Sequence, residues 1–398
     1  MFWLLRGLEL ALIAGFAKVS SFFLNRYCAT PHPKSYGAIG KCVQLGAIPI
    51  YGWMIHHELS RIAASQAIDS MSWTTTNPFA MVLLVIGSFG FIHLAASTIA
   101  FHRYRPPRCQ LSCESRIVDF RQDSRYQPWR NVLVGPRPMR RITQLPGNEQ
   151  LKLEVSTKEF LFSRLPAEWD GLSIVHLADL HFRGGVARPY FEAVCEQAAA
   201  LKPDLFVFTG DLLDEQKRLE WLPDTLGRLQ APLGQFFILG NHDWYLDPEA
   251  TRREFERFGW VDVSSRSHVL SIARFASKIT IAGDETPWLG RHPELIENPF
   301  KILVSHSPDN IAWAREQDID LMLAGHTHGG QIRLPILGPI YSPSLYGVRY
   351  ASGVFWKDPT LMYVSRGISG REPIRYGCPP ELTKLVLRSE AARQSTEA

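Results

Sequence analysis

Five apolar runs in this chain each end in a residue of a metal-binding type. The run 173–178 leads into Asp179-Leu180-His181, and 205–210 into Asp211. The run 236–240 leads into Asn241-His242-Asp243, 301–305 into His306, and 321–325 into His326-Thr327-His328. A buried strand that delivers a polar group at its C-terminal tip is how open α/β sheets build their sites. Five such tips carrying Asp, Asn and His, and no Cys, point to a two-metal hydrolytic centre.

The spacing between these runs supports the same architecture. Residues 188–201 place Phe191, Val194, Cys195 and Ala198 on one helical face. Further helices are expected near 216–229, near 250–258 and after Pro308. Leu151–Val155 and Glu159–Phe162 read as strands at a sheet edge. Strand–helix alternation implies a layered α/β domain over 151–388, followed by a polar tail at 389–398.

The N-terminal third is of another kind. Residues 1–150 hold 16 Lys+Arg against 7 Asp+Glu, and the remainder holds 27 against 32. Residues 78–101 are 24 positions without a formal charge, which is long enough to span a bilayer. Arg103, Arg105 and Arg108 follow at once, and the positive-inside rule puts that end in the cytoplasm. Residues 1–24, with Arg6, Glu9 and Lys18, fit an interfacial helix or a marginal span. Residues 42–55 are uncharged but short, with Lys41 as a stop, and are expected to form a hairpin with the third segment. No basic n-region or A-x-A-like site marks a cleavable signal peptide. The expected order is a membrane-anchoring helical region at 1–108, a basic, Pro/Gly-punctuated connector at 109–150, and then the α/β domain. The expected location is the cytoplasmic membrane, with the α/β domain facing the cytoplasm. The partner implied by a basic flank beside apolar segments is an anionic lipid bilayer, and no nucleic-acid-binding signature is present. The six scattered cysteines read as reduced thiols; Cys109 and Cys113 form at most a metal half-site, with no second pair nearby in sequence.

The chemistry of the tips follows from their donor atoms. Asp179 and His181 alternate at a strand end and can clamp one ion. Asp211 is the natural bridge, because a carboxylate can offer one oxygen to each of two cations. Asn241 adds a neutral oxygen, and His306, His326 and His328 add nitrogens; the glycines beside them let the backbone turn tightly. That set suits two divalent ions, Mn2+, Fe or Zn2+, about 3.5–4 Å apart. His242 remains to protonate a leaving oxygen or stabilise the transition state, with Asp243 able to orient its ring. His176 reads as a core residue. Phe182, Trp244, Tyr245 and Trp288 are candidates for a substrate groove, and Arg371 and Arg375 for a phosphate contact.

Each motif alone is common; all five in this order are not. Asp179-x-His181, Gly210-Asp211, Gly240-Asn241-His242-Asp243, His306 and Gly325-His326-Thr327-His328 together resemble the signature of the calcineurin-like metallophosphoesterase superfamily. The tail run 367–375 resembles a bacterial membrane-associated branch that includes UDP-2,3-diacylglucosamine hydrolases. The resemblance implies a two-sheet α/β/β/α sandwich with metals at the strand ends. It assigns Asp179, His181, Asp211 and His328 to one metal, and Asp211, Asn241, His306 and His326 to the other. It makes His242 the catalytic imidazole. The implied function is a membrane-anchored hydrolase of a phosphoric ester or diphosphate, on a lipid-linked substrate such as UDP-2,3-diacylglucosamine. Alternatives are a phosphodiesterase or phosphatase acting on another envelope, nucleotide or phosphoprotein substrate, and a metal-free scaffold, which lost ligands would mark. Here every ligand position is filled.

Overall fold

The computed structural model describes residues 2–66 and 78–397, so residues 67–77 of the expected anchor lie outside the described residues. The chain forms two compact units, Met1–Tyr104 with Leu334–Arg349, and Arg105–Arg333 with Tyr350–Ala398.

The first unit holds three helices, α1 (Phe2–Cys28), α2 (Lys34–Gln66) and α3 (Pro78–Arg103). All three are long and apolar enough to cross a membrane. The second differs from the sequence expectation. Lys41 does not stop the apolar run, and one helix of 33 residues carries both Lys41 and Pro49. Lys41 lies in the second turn, where its stem can run along apolar surface while the ammonium reaches outward. As expected of the second and third segments, α2 and α3 touch, with Tyr51 Oη donating to the Leu83 carbonyl at 2.7 Å, and α1 packs on both of them. At the α1–α3 crossing the two backbones touch. A Cβ on Gly90 would lie 2.0 Å from the Gly15 carbonyl oxygen, and one on Gly15 would lie 1.9 Å from that of Gly87. Small residues at such crossings let membrane helices approach closely.

The second unit is a pair of stacked sheets. One contains β1 (Gln110–Asp119), β2 (Lys152–Phe162), β3 (Ser173–Leu177), β4 (Leu205–Thr209), β5 (Gln235–Ile238) and β6 (Val261–Asp262). The other contains β7 (Ser267–Leu270), β8 (Ile279–Asp284), β9 (Phe300–Ser305), β10 (Leu321–Ala324), β11 (Gly353–Lys357) and β12 (Thr360–Val364). The last strand, β13 (Glu381–Ser389), returns to the first sheet. The first sheet runs β1-β2-β13-β3-β4-β5-β6 and the second β11-β12-β10-β9-β8-β7. Strands β3, β4 and β5 are mutually parallel, as are β8, β9, β10 and β12. Their carboxyl ends therefore gather at one edge, which is where the ligand motifs begin.

Side-chain alternation divides the core. Ile174, Leu205, Val207 and Phe236 face the second sheet and meet Ile281, Ile302, Val304 and Leu323. Val175, Leu177, Phe206, Phe208 and Phe237 face outward and are covered by Phe191 and Val194 of α4 (Arg188–Ala200) and Phe255 of α5 (Pro248–Arg257). Helix α6 (Ile311–Glu316) buries Ile311 and Ala314 on the far side, by β12. This is the α/β sandwich with two sheets that the tips required. His176 points into the inter-sheet core, where its Nε2 meets Thr209 Oγ1 at 2.9 Å. Burial lowers its pKa to about 3, so it is a neutral core residue.

Several local expectations change. Leu151–Val155 and Glu159–Phe162 are one strand, β2, and it is not the edge. The edge is β1, within the stretch expected as a connector; its antiparallel pairing with β2 builds 110–119 into the sheet. The helix expected near 216–229 is two short 3-10 segments, Gln216–Trp221 and Leu226–Arg228. The polar tail begins with Ser389 still in β13 and continues as a helix, Glu390–Glu397.

The glycine crossing is testable in the full-length protein in detergent. Gly90→Leu must force α1 and α3 apart, a cost of about 1–3 kcal/mol for overpacking, and should lower the thermal unfolding midpoint. Gly46→Leu, whose Cβ meets nothing within 4 Å, should leave it unchanged. Equal midpoints for both variants would remove the close crossing.

Candidate metal centre

The ligand motifs sit where parallel strands run out, and the backbone there is unusual. Asp179, His181, Asp211, His326 and His328 all have φ between 49° and 69°. A left-handed non-glycine residue costs roughly 1–2 kcal/mol, and such residues cluster at functional sites. Tip-to-tip hydrogen bonds hold them: Asp179 N donates to Gly210 O and His181 N to Asp211 O, both at 3.0 Å. His326 N donates to Asp179 Oδ1 at 3.0 Å, which ties the two sheets together.

Among the described residues three groups of metal-ligating atoms result; one is His181, Asp214 and His242, and the other two share Asp211. Asp179, His181, Asp211 and His328 form one of these two, with ligand atoms within 4.8 Å of one another; Asp211, His306 and His326 form the other. Asp211 belongs to both. Its Oδ2 lies 3.5 Å from His181 Nε2, and its Oδ1 lies 3.5 Å from His306 Nε2. Asn241 joins the second group, with Oδ1 3.0 Å from His306 Nε2. All seven sequence-predicted ligands thus come together.

The donor chemistry fits divalent cations. His306 Nδ1 faces the Thr209 carbonyl at 2.7 Å, and His328 Nδ1 faces the Ser369 carbonyl at 3.0 Å. A carbonyl only accepts, so both rings carry their proton on Nδ1 and turn an Nε2 lone pair inward. His181 Nε2 and His328 Nε2 face each other at 3.1 Å, as do His326 Nδ1 and His306 Nε2. Pairs of inward imidazole nitrogens beside a carboxylate are a nitrogen–oxygen donor set for Mn2+, Fe or Zn2+. The pocket also needs bare backbone. A Cβ on Gly240 would lie 2.2 Å from Asp211 Oδ1, and one on Gly325 would lie 2.7 Å from Asp179 Oδ2.

The expected pairing of His242 with Asp243 is not what the geometry shows. Asp243 does not touch the His242 ring. Its carboxylate accepts from Gly240 N (2.9 Å), Leu213 N (2.9 Å) and Leu212 N (3.2 Å), pinning the two ligand loops to each other. Burial pushes its carboxyl up to about 6. The ring partner is Asp214, whose Oδ1 is 2.5 Å from His242 Nδ1 and whose Oδ2 is 3.3 Å from His181 Nδ1. Burial works to raise the Asp214 carboxyl, but the facing His181 and His242 rings outweigh it and hold it well below the usual carboxylate range. Asp214 therefore orients a ligand imidazole and the free imidazole together. The signal for it in the sequence was a second carboxylate three residues past Asp211.

Other candidates separate cleanly. Trp288 roofs the second group, its ring centroid 4.8 Å from that of His326 and 5.5 Å from that of His306. Phe182 is fully buried against Phe191 and Trp221 and lines no groove. Trp244 and Tyr245 are half-buried and tilted on each other, just past His242. Arg371 is exposed. Arg375 is not a phosphate contact. It is fully buried and donates to the carbonyls of His328 (3.0 Å), Arg366 (2.6 Å) and Ser369, so it braces the loop that carries His328. Cys109 is half-buried and Cys113 exposed, both as free thiols.

A family model described as calcineurin-like phosphoesterase matches residues 172–330. The uncharacterized metallophosphoesterase YkuE of Bacillus subtilis is 34% identical over 256 residues, covering 60% of this chain and 86% of that protein. The chain is a calcineurin-like metallophosphoesterase. As such it is a hydrolase of phosphoric esters. The UDP-2,3-diacylglucosamine pyrophosphatase LpxG of Chlamydia muridarum is 28% identical over 286 residues, covering 55% of this chain and 85% of LpxG. The phosphodiesterase YaeI of Escherichia coli is 29% identical over 222 residues, covering 54% of this metallophosphoesterase and 81% of YaeI.

Two substitutions separate the roles of the carboxylates. Asp211→Asn should lower occupancy of both metals in elemental analysis, since one oxygen serves each group; two full equivalents would remove the bridging assignment. Asp214→Asn should weaken metal binding by about 10–100-fold through His181 and lower kcat by about 10²–10⁴-fold through His242. A wild-type kcat at full metal loading would show that Asp214 does not act through His242.

Proposed function

We propose that this metallophosphoesterase is a membrane-anchored hydrolase that cleaves the diphosphate of UDP-2,3-diacylglucosamine, giving UMP and a lipid monophosphate. The observation that carries the reading is Asp211 with one oxygen in each of two ligand groups, in a chain whose described residues include three helices long and apolar enough to cross a membrane. The kinship with LpxG supports the substrate.

Two divalent ions, held by Asp179, His181, Asp211 and His328 and by Asp211, Asn241, His306 and His326, would supply hydroxide near neutral pH and charge neutralisation at a phosphoryl group. The protein's own groups do the rest. Asp214 accepts the Nδ1–H of His242, and a ring that also carries a proton on Nε2 presents that proton to the substrate. His242 then donates a hydrogen bond or proton to the departing phosphate oxygen. Water adds at one phosphorus as the bridging P–O bond breaks, and the proton of that water is released. Trp288, lying over His326, limits bulk water at the second group.

Membrane anchoring favours a lipid-linked substrate. Anchoring raises effective concentration only for a partner confined to the same surface. Arg103 at the end of α3, with Arg105 and Arg108 beyond it, supports a cytoplasmic-membrane location with the hydrolytic domain on the cytoplasmic side. The kinship with YaeI supports a second reading, a phosphodiesterase on another substrate.

The deciding assay is product release by the purified protein. Mn2+-dependent formation of UMP from UDP-2,3-diacylglucosamine, lost in His242→Ala with metal content retained, is the expected result. Brisk hydrolysis of soluble monoesters or diesters, with none of the lipid nucleotide, would exclude it.

A further inference from the structure

Strand β1 lies at the edge of the first sheet, and among the described residues its ladder runs to β2 alone. Its other side presents a row of backbone N–H and C=O groups with no strand against them. Both faces are open as well. Residues 113–117 are all exposed. Arg116 Nη2 donates to Gln197 Oε1 of α4 at 2.8 Å, so the even-numbered side chains lie toward α4. Cys113, Ser115 and Ile117 lie on the opposite face, and Ile117 is 54% exposed.

Proteins guard such an edge with a short strand, a proline, a bulge or lysines. Strand β1 has ten residues, with no proline and no lysine among them. Its register against β2 shifts between Gln110 and Ser112, which leaves 112–118 regular. The charges in that stretch are Glu114 and Arg116, two residues apart and opposite in sign. Among the described residues neither has an ion-pair partner; Arg116 meets only the neutral amide of Gln197.

This pattern is complementary to itself. Two copies of a strand that pair antiparallel about a two-fold axis must match residues of equal parity, because only alternate residues turn their N–H and C=O outward. The axis therefore passes through a residue. Centred on Glu114 it sets that carboxylate against its own copy, and centred on Arg116 it does the same to the guanidinium; like charges directly opposite are destabilising. Centred on Ser115 it sets Glu114 opposite Arg116 twice, Cys113 opposite Ile117 and Ser112 opposite Val118. Ser115 is also the middle of the regular stretch. We infer that β1 is a dimerisation edge, which pairs antiparallel with β1 of a second copy of this chain in the register centred on Ser115.

The pairing makes roughly six to eight backbone hydrogen bonds and joins the first sheets of two copies into one. It is a small contact for two proteins in dilute solution. Helices long and apolar enough to cross a membrane would confine both copies to one surface, and confinement raises their effective concentration. A strand of unrelated sequence would leave Glu114 and Arg116 unmatched, whereas a second copy supplies both partners.

The test uses the full chain in the membranes of expressing cells, with the exposed Cys42 and Cys113 replaced by Ser. In that background Ser115→Cys should give a disulfide-linked dimer on mild oxidation, because the two 115 positions oppose each other. Ser112→Cys should not, because 112 opposes 118 and its own copy lies about 20 Å away along the strand. Glu114→Arg should lower the dimer yield at 115 by about tenfold. Adding Arg116→Glu exchanges the two signs and should restore the yield, which separates lost pairing from lost folding. Monomer alone at 115, equal dimer yields at 112 and 115, a disulfide to another protein, or a loss that the exchange does not restore overturns the two-fold edge.

Discussion

Asp211 is a carboxylate at 1% exposure with imidazoles on both sides and a second buried carboxylate, Asp179, in the same cluster. Water does not solvate it, so the surrounding protein must. Its Oδ1 accepts from His242 N at 2.8 Å, and Gly240 leaves it room that any side chain would fill. Much of the neighbouring backbone serves this demand. Five left-handed non-glycine residues at roughly 1–2 kcal/mol each approach the roughly 5–15 kcal/mol net stability of a whole domain. Such a cluster persists only because the two sheets over-determine it, through tip-to-tip hydrogen bonds and the buried braces Asp243 and Arg375.

Those braces explain how a static scaffold selects a reactive imidazole. Of the histidines at the strand ends, His306 and His328 have their Nδ1 protons committed to carbonyl groups, and their inward nitrogens face other ligands. His242 shares a carboxylate with His181 but lies outside both ligand groups that contain Asp211. One side chain, Asp214, thus faces the His181 and His242 rings together.

The candidate metal-binding residues were legible because each stands at a strand tip, where a continuous apolar run, buried on both faces, makes the strand visible and its end abrupt. The parallel core of the fold followed from the same signal. What escaped lies in tertiary context. Asp214 sits on a turn, and only the fold brings its carboxylate to His242 and His181. Arg375 read as a candidate phosphate contact, because a run of residues does not show that three carbonyl oxygens await it inside. The 216–229 segment has helical composition but resolves into two 3-10 segments. The edge strand Gln110–Asp119 is largely exposed, so its sequence lacks the apolar alternation that marks a half-buried strand. Lys41 was counted as a charge, although a lysine stem is itself apolar enough to lie along a membrane helix.

The interleaving of the two units has a consequence for how such a chain can change over time. Residues 334–349 are part of the helical unit but are encoded in the middle of the hydrolytic one. Recombination at a single point cannot exchange one unit for another, since no cut leaves both intact. Removing the helices strips the surface against which Ser342 and Gly338 rest, through Asn25 and Phe101, and leaves that insert without support. The helical unit is therefore inherited with the enzyme as one piece, and drift in either is answerable to the other.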